Sequence, residues 1–347
     1  MTRKFDYSFL KNNIPANLFG LASIISDLRA KENIRKQQYE STFKALQRKA
    51  VIESVKSSNA IEGIVATDDR IHDIINGSSP VTHDEKEISG YRDALNLIHT
   101  QESSLDVNLE TICLFHRMIQ EETEPNEAGH YKTRDNLIMD FLPDGSRCVR
   151  FRPVKAVETA DAMNQMILAY YDARQDSSIP PLLLIPCVIL DFLCIHPFLD
   201  GNGRVSRLLT VLLLYLSGYD IVRYISLEKQ VDAYKEAYYD ALRDSSQGWH
   251  ENQNDYTPFI VNFLQILYHC YKSLDESFTD ISIQKAKKNE RVEAVLENAI
   301  VPISKSQIRE KLPDVSVKTI ELVLGNLLKE GKIQKIGTYK NARYIKS

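Results

Sequence analysis

Five cysteines in 347 residues are few, and their spacing is unhelpful for metal or crosslink chemistry. Cys113, Cys148, Cys187, Cys194 and Cys270 include no Cys-x-x-Cys pair, so neither a zinc site nor a disulfide framework is indicated. The first residues, Met-Thr-Arg-Lys-Phe-Asp-Tyr, lack the apolar stretch of a secretory signal. No Gly-x4-Gly-Lys-Ser/Thr run occurs, which excludes a Walker-type phosphate loop. Membrane-length hydrophobic runs are also missing. Residues 181–195 are almost wholly apolar, but they carry Pro186 and Asp191 and fall short of the roughly 20 residues of a span. Repeats and low-complexity segments are not evident. The net charge of −4 argues against a protein that simply coats nucleic acid. These absences predict a soluble, cytoplasmic chain without a membrane partner. A hydrophobic content of 43% supports a real core, and the length suits two or three domains.

What the chain does have is concentrated in residues 196–207, His-Pro-Phe-Leu-Asp-Gly-Asn-Gly-Arg-Val-Ser-Arg. Apolar runs on both sides predict a buried helix, a tight loop and a second buried helix that Gly218 can cap. Gly201, Asn202 and Gly203 can let backbone amides converge at a helix start, where unsatisfied N–H groups and the dipole favour phosphate. Arg204 and Arg207, three residues apart, can grip further phosphates from one helix face. Asp200 suits a Mg2+ ion shared with phosphate oxygens. His196 is a candidate general base, because an unperturbed imidazole is mostly neutral at pH 7. Singly, a Gly-Asn-Gly is usually a turn and a His beside Pro usually structural. Together between two apolar helices, they point to transfer of a nucleotide's phosphorus group to a hydroxyl.

Other segments are less specific. Residues 39–63 read as a helix closed by Ser58-Asn-Ala-Ile-Glu62-Gly63, and taken alone Glu62 is a solvated carboxylate before a glycine cap. Its place in the last turn, the wrong end of the dipole for a carboxylate, nevertheless invites a cation. Residues 108–119 have amphipathic helix spacing. Around Asp144-Gly145 the pattern predicts a hairpin, about residues 137–152, either decorative or a docking edge for β-augmentation. Tyr238 and Tyr239 lie in a predicted helix at 231–242, where tyrosines usually pack. Residues 279–289 suit a linker, followed by helices at 290–297, 304–312 and 317–330 and two strands in 333–345. From Lys285 onward 14 Lys and Arg face 7 Asp and Glu, a charge of +7, which leaves the remainder at −11. Such a basic piece can bind DNA phosphates, or equally dock a partner or a second copy.

The stretch His196 to Arg207 matches the Fic signature HxFx(D/E)GNGRxxR at every specified position, and the chain resembles that family. Fic proteins are largely helical protein adenylyltransferases that move AMP from ATP to a Ser, Thr or Tyr hydroxyl. The resemblance implies His196 as base and Asp200 as Mg2+ ligand. It implies Gly201, Asn202 and Gly203 at the α-phosphate, with Arg204 and Arg207 at the β- and γ-phosphates. Tyr238 and Tyr239 would help enclose adenine, although a position near Ser246 departs from the asparagine of some relatives. Leu137, Ile138 and Met139 would belong to a flap that presents the target. Ser58-x-x-x-Glu62-Gly63 is similar to the family's inhibitory motif, in which the glutamate pairs with the second arginine, here Arg207, with Ser58 orienting the carboxylate.

The expectation is thus a mainly α fold in three parts. An N-terminal helical region (1–106) would carry the inhibitory helix, a Fic-type core (107–275) the flap hairpin, and residues 285–347 a small winged-helix-like α+β domain. The function expected is autoinhibited AMP transfer to a protein target and to the chain itself, with ATP as co-substrate and Mg2+. The alternatives are a DNA-binding regulator that uses the core as a nucleotide sensor, or transfer of another phosphate-containing group. A homodimer is compatible with either.

Overall fold

The computed structural model describes residues 3–11, 15–141, 145–285, 288–297, 299, 301–313, 315–337 and 342–346. The architecture is mainly α, with two small sheets. In chain order the first helices are α1 (Ala16–Gln38), α2 (Glu40–Ile61), α3 (Asp68–Ile75), α4 (His83–Gln101) and α5 (Leu109–Gln120). A hairpin follows, β1 (Ile138–Phe141) and β2 (Arg147–Phe151). Next come α6 (Ala156–Gln175), α7 (Pro181–Ile195), α8 (Asn202–Leu216), α9 (Ile221–Tyr224), α10 (Leu227–Ala233), α11 (Lys235–Ser246) and α12 (Thr257–Lys285). The C-terminal elements are α13 (Lys288–Glu297), β3 (Ile303–Ser304), α14 (Lys305–Lys311), α15 (Val317–Lys329), β4 (Ile333–Ile336) and β5 (Arg343–Lys346). The chain divides into two compact units, Met1–Lys272 and Ser273–Ser347. Among the described residues no helix is long and apolar enough to cross a membrane.

Helix starts follow the local chemistry. Thr82 caps α4 by accepting from Glu85 N, and Asn108 caps α5 by accepting from Thr111 N at 2.8 Å. In the first unit α7 is the central element. Every residue from Leu182 to Ile195 is buried, which explains why its apolar pattern is continuous and not amphipathic. Helices α4 and α5 approach closely at Gly90, where a Cβ would collide with the Met118 carbonyl. That contact sets Glu87 of α4 and His116 of α5 beside the 196–207 loop.

Two helix expectations need correction. Residues 231–242 are not one helix, because Tyr234 breaks the run between α10 and α11. The polar segment at 279–289 is not an open linker, since α12 continues through it to Lys285, and residues 286–287 lie outside the described residues. Polarity alone does not end a helix that lacks Gly and Pro.

The hairpin pairs Met139 with Val149 and Phe141 with Arg147, antiparallel, with an irregularity at Ile138. Its turn residues Pro143 and Asp144 lie outside the described residues. In the second unit the sheet order is β3-β5-β4, antiparallel throughout, so a short strand at Ile303–Ser304 joins the two expected ones. Ser304 and Gln307 form a reciprocal capping box on α14. Ile308, Ile320, Val323, Leu324 and Tyr344 are in this unit's core.

The N-terminal arm is tied into the first unit by a buried polar network. Asp191 of α7 is 0% exposed and accepts from Trp249 Nε1 at 2.6 Å and Tyr7 OH at 2.8 Å. Arg3 Nη2 reaches the same carboxylate at 3.0 Å and also meets the Tyr256 hydroxyl. The Arg3 guanidinium lies 4.7 Å from the centroid of the Trp249 ring. Removing one member of a buried pair strands the other charge. Arg3→Met is therefore expected to lower the unfolding free energy by about 3–5 kcal/mol in a urea titration. A change below about 1 kcal/mol, the level of an exposed pair, would refute this integrating role.

Candidate functional site

The loop between α7 and α8 is the centre of the site. His196 ends α7 in the left-handed region, φ 51° and ψ 63°, a rare place for a side chain with a Cβ. Gly201 starts α8 with φ 77°, and no side chain caps that helix. The first amides of α8 are thus left to another acceptor, as an anion cradle requires. The side chain of Asn202 is spent within the loop itself. Its amide accepts from Phe198 N at 2.9 Å and donates to Phe198 O at 2.8 Å, which closes the loop. Its contribution to a cradle is therefore confined to its backbone.

His196 is half-buried, and its Nδ1 lies 3.2 Å from the Leu193 carbonyl. A carbonyl only accepts, so the proton sits on Nδ1 and Nε2 carries the free lone pair. Burial, with a smaller contribution from the positive charge of Lys132, lowers its pKa to about 4. The imidazole is a neutral base at pH 7. Asp200 stands out at the loop tip, its side chain 78% exposed. Its backbone carbonyl meets His116 Nε2 at 3.2 Å, while His116 Nδ1 accepts from Gly129 N at 2.9 Å. The His116 ring stacks on Phe198 at 3.9 Å between centroids. His116 thereby props the loop from below, a role the helix pattern at 108–119 did not disclose.

The two arginines of α8 have separate partners. Arg204 is 1% exposed and its Nη1 pairs with Glu87 of α4 at 2.5 Å, with Asp200 more distant at 3.4 Å. Glu87 was missed in the sequence because one carboxylate in a charged helix carries no signature. Arg207 is held by α2: Nη2 donates to Glu62 Oε1 at 2.9 Å and to the Ser58 carbonyl at 2.8 Å. Its Nε donates to Ser58 Oγ at 2.8 Å. The structure therefore brings Glu62 and Arg207 together, but it corrects the role of Ser58, whose hydroxyl holds the arginine and not the glutamate carboxylate. The reason is burial: Ser58 is 0% exposed, and an enclosed guanidinium needs each N–H satisfied. Glu62 caps the end of α2, Gly63 turns the chain with φ 81°, and Lys235 Nζ covers the Ile61 carbonyl at 2.8 Å. Gly203 faces this carboxylate so closely that a Cβ there would collide with Glu62 Oε1. The site tolerates no side chain at 203 while Glu62 is in place.

Tyr238 packs edge-on against Tyr239 and Phe259, at 5.6 and 5.5 Å between centroids. Tyr239 also faces the Arg150 guanidinium of β2 at 5.5 Å. Together with Asp140, Arg150 and Lys235, Tyr239 lines a cavity of 930 Å³ between the hairpin and α11. Tyr238 is not among its lining residues. Leu137 is exposed, whereas Ile138 and Met139 are half-buried on the hairpin. Asp200 is a single outward carboxylate, and no cluster of three potential metal ligands occurs among the described residues. A lone carboxylate fits Mg2+ that takes its other ligands from phosphate and water, and does not fit a protein-caged metal.

Three histidines, His99 and His116 buried and His196 half-buried, share one electrostatic consequence. Burial lowers His99, His116 and His196 to about 4 from the ordinary 6.5. The unfolded chain then binds more protons than the folded one between about pH 6.5 and 4, so stability falls as the pH drops through that window. Urea titrations at stepped pH should show this fall, and His116→Gln should make it shallower. A stability that stays level from pH 6.5 to 4 would show that these imidazoles are not held neutral.

Comparison with known proteins agrees with this geometry. The Fic/DOC family model matches residues 106–214. A protein adenylyltransferase Fic of Nematostella vectensis is 26% identical over 221 residues, 61% of this chain and 46% of the relative. One of Drosophila grimshawi is 26% identical over 187 residues, 54% of this chain and 34% of the relative. The chain thus spans less than half the length of these curated relatives. Among solved structures, a Fic family protein from Desulfovibrio desulfuricans G20 superposes with a TM-score of 0.62 at 18% identity, covering 97% of this chain and 98% of that one. Fic-1 from C. elegans gives 0.58 at 20% identity, covering 78% and 74%. At such identities the structural likeness speaks for the fold alone. With the family model lying across the very loop that holds His196, Asp200 and the two arginines, the chain carries a Fic/DOC family domain.

Proposed function

We propose that this protein is a protein adenylyltransferase held in check by its own α2. The observation that carries the reading is His196, its Nε2 free, at the end of α7 and five residues before Gly201 at the uncapped start of α8, which bears two buried arginines. ATP would lay its α-phosphate on the amides of Gly201 to Gly203, and Asp200 would hold Mg2+ against the phosphates. When bound, that ion would neutralise phosphate charge. A target hydroxyl, presented along the 137–152 hairpin, would give its proton to His196 Nε2 while its oxygen bonds to the α-phosphorus. The bond from that phosphorus to the β-phosphate bridging oxygen breaks, and pyrophosphate leaves. Ser, Thr and Tyr all offer such a hydroxyl, including those of a second copy of the chain.

Inhibition follows from the Arg207 partners. Glu62 occupies an N–H of Arg207 that a γ-phosphate would need, so nucleotide entering the site would be misplaced for in-line attack. Glu62→Gly is expected to raise AMP incorporation at least about tenfold, which needs only about 1.4 kcal/mol. His196→Ala and Arg207→Ala should abolish it, with or without Glu62. The check is transfer from α-labelled ATP to lysate protein and to the chain itself. No gain from Glu62→Gly would sink the inhibitory reading, and unchanged labelling in His196→Ala would sink the base.

The charge split favours a separate binding role for the C-terminal unit, which carries helices and a three-stranded sheet in winged-helix-like order. On α15 Lys318 and Lys329 are exposed, and on the strands so are Lys335, Arg343 and Lys346. If these residues meet DNA phosphates, the full-length chain should bind duplex DNA with an affinity that falls steeply with salt. Absence of binding at low salt would leave a protein partner or a second copy as the better occupant.

A further inference from the structure

Lys132 lies outside the signature, yet it is bonded to the catalytic loop at two points. It is 4% exposed. Its Nζ donates to the Ile195 carbonyl at 3.1 Å and to Asn136 Oδ1 at 2.9 Å. Its backbone N–H donates to the Pro197 carbonyl at 2.8 Å. These two carbonyls flank His196 on either side. Asn136 extends the lacing by donating to Phe198 O at 3.0 Å. The segment that leads into the hairpin is therefore tied to the loop residue by residue.

Both oxygens that the ammonium bonds are neutral, and the Asp135 carboxylate attracts it only from beyond bonding distance. Burying a cation this way costs stability, and a smaller apolar side chain would fill the space more cheaply. The location supplies a reason. Ile195 is the last residue of α7, where carbonyls lack helical partners and the dipole is negative, so a cation is favourable. The next residue, His196, adopts a left-handed backbone that costs of order 1–3 kcal/mol unless its surroundings impose it.

We propose that Lys132 is a positioning residue for the reaction: by capping α7 at Ile195, its ammonium fixes the left-handed turn that aims the His196 imidazole at the phosphate cradle. The idea rests on the reading of His196 as the base. Burial contributes most to keeping that imidazole neutral, and the Lys132 charge acts in the same direction, against the opposing charges of Glu62 and Asp200. The ammonium itself is brought down to about 8 by burial. It remains mostly charged at neutral pH, and an amine would still donate to Ile195.

The test uses the full chain carrying Glu62→Gly, so that transfer is measurable, with Lys132→Met and Lys132→Arg added in turn. Lys132→Met is expected to lose about a hundredfold in kcat, the usual cost of about 1 Å of misplacement, with the KM for ATP unchanged. Lys132→Arg should recover most of the rate, because it restores a cationic donor. In parallel, NMR titration of the His196 imidazole, assigned by comparison with His196→Gln, should show a higher pKa in Lys132→Met. Should Lys132→Met melt, Lys132→Gln keeps a donor without charge and must still raise that pKa. An undiminished kcat in Lys132→Met, a loss confined to KM, or a His196 pKa unmoved by loss of the charge would overturn the proposal. If the Glu62→Gly parent transfers nothing, the proposed function fails and takes the Lys132 proposal with it, whereas transfer by the parent with undiminished kcat in Lys132→Met overturns the Lys132 proposal alone.

Discussion

A helix buried along nearly its whole length that carries two arginines has to be met by anions, and the first unit is arranged around that demand. Helix α8 encloses Arg204 and Arg207, at 1% and 4% exposure. Neither can be left unpaired, because an isolated buried charge costs far more than a fold of this size can spare. Glu87 answers one from α4 and Glu62 answers the other from α2. The two helices that supply carboxylates are consequently fixed against the same N-terminal end of α8. The inhibitory arrangement proposed here is a consequence of this electrostatics. A guanidinium prepared for a phosphate has an unmet charge whenever phosphate is absent, and a carboxylate within reach will fill the place.

The same principle separates the two arginines in kind. Arg204 shares its pocket with a glutamate that is itself 3% exposed, so this pair is a permanent part of the interior. Glu62 is about a third exposed at the end of its helix, next to Gly63. Arg207 would keep its two bonds to Ser58 without that carboxylate. The site thus combines a fully buried ion pair with a partly exposed one, four and seven residues beyond Asp200.

Around His196, the proposed base, geometry takes the place of the carboxylate that often orients such a histidine. The Leu193 carbonyl selects the tautomer, burial keeps the ring neutral, and the backbone turn directs it. Each of these comes from a different part of the chain. The loop is held by His116 from α5, by Asn202 from within, and by Lys132 and Asn136 from the segment before the hairpin. A strained turn persists only where several such contacts overdetermine it.

The sequence by itself settled the features that depend on near neighbours. The apolar runs before and after residues 196–207 located α7 and α8, because a helix buried on all sides needs no polar face. The spacing of His196, Asp200, Gly201, Gly203, Arg204 and Arg207 placed one loop's chemistry, since these side chains are joined by a few bonds of backbone. The helix starts near residues 108 and 304 were legible for the same reason. Only the tertiary structure decided which distant residue meets which. Glu87, His116 and Lys132 carry no local pattern, and their roles arise from helices that touch at Gly90 and from a segment that crosses beneath the loop. The direction of the Ser58 hydroxyl was likewise a matter of burial: spacing put it within reach of Glu62, but the enclosed guanidinium of Arg207 had the stronger need for its oxygen.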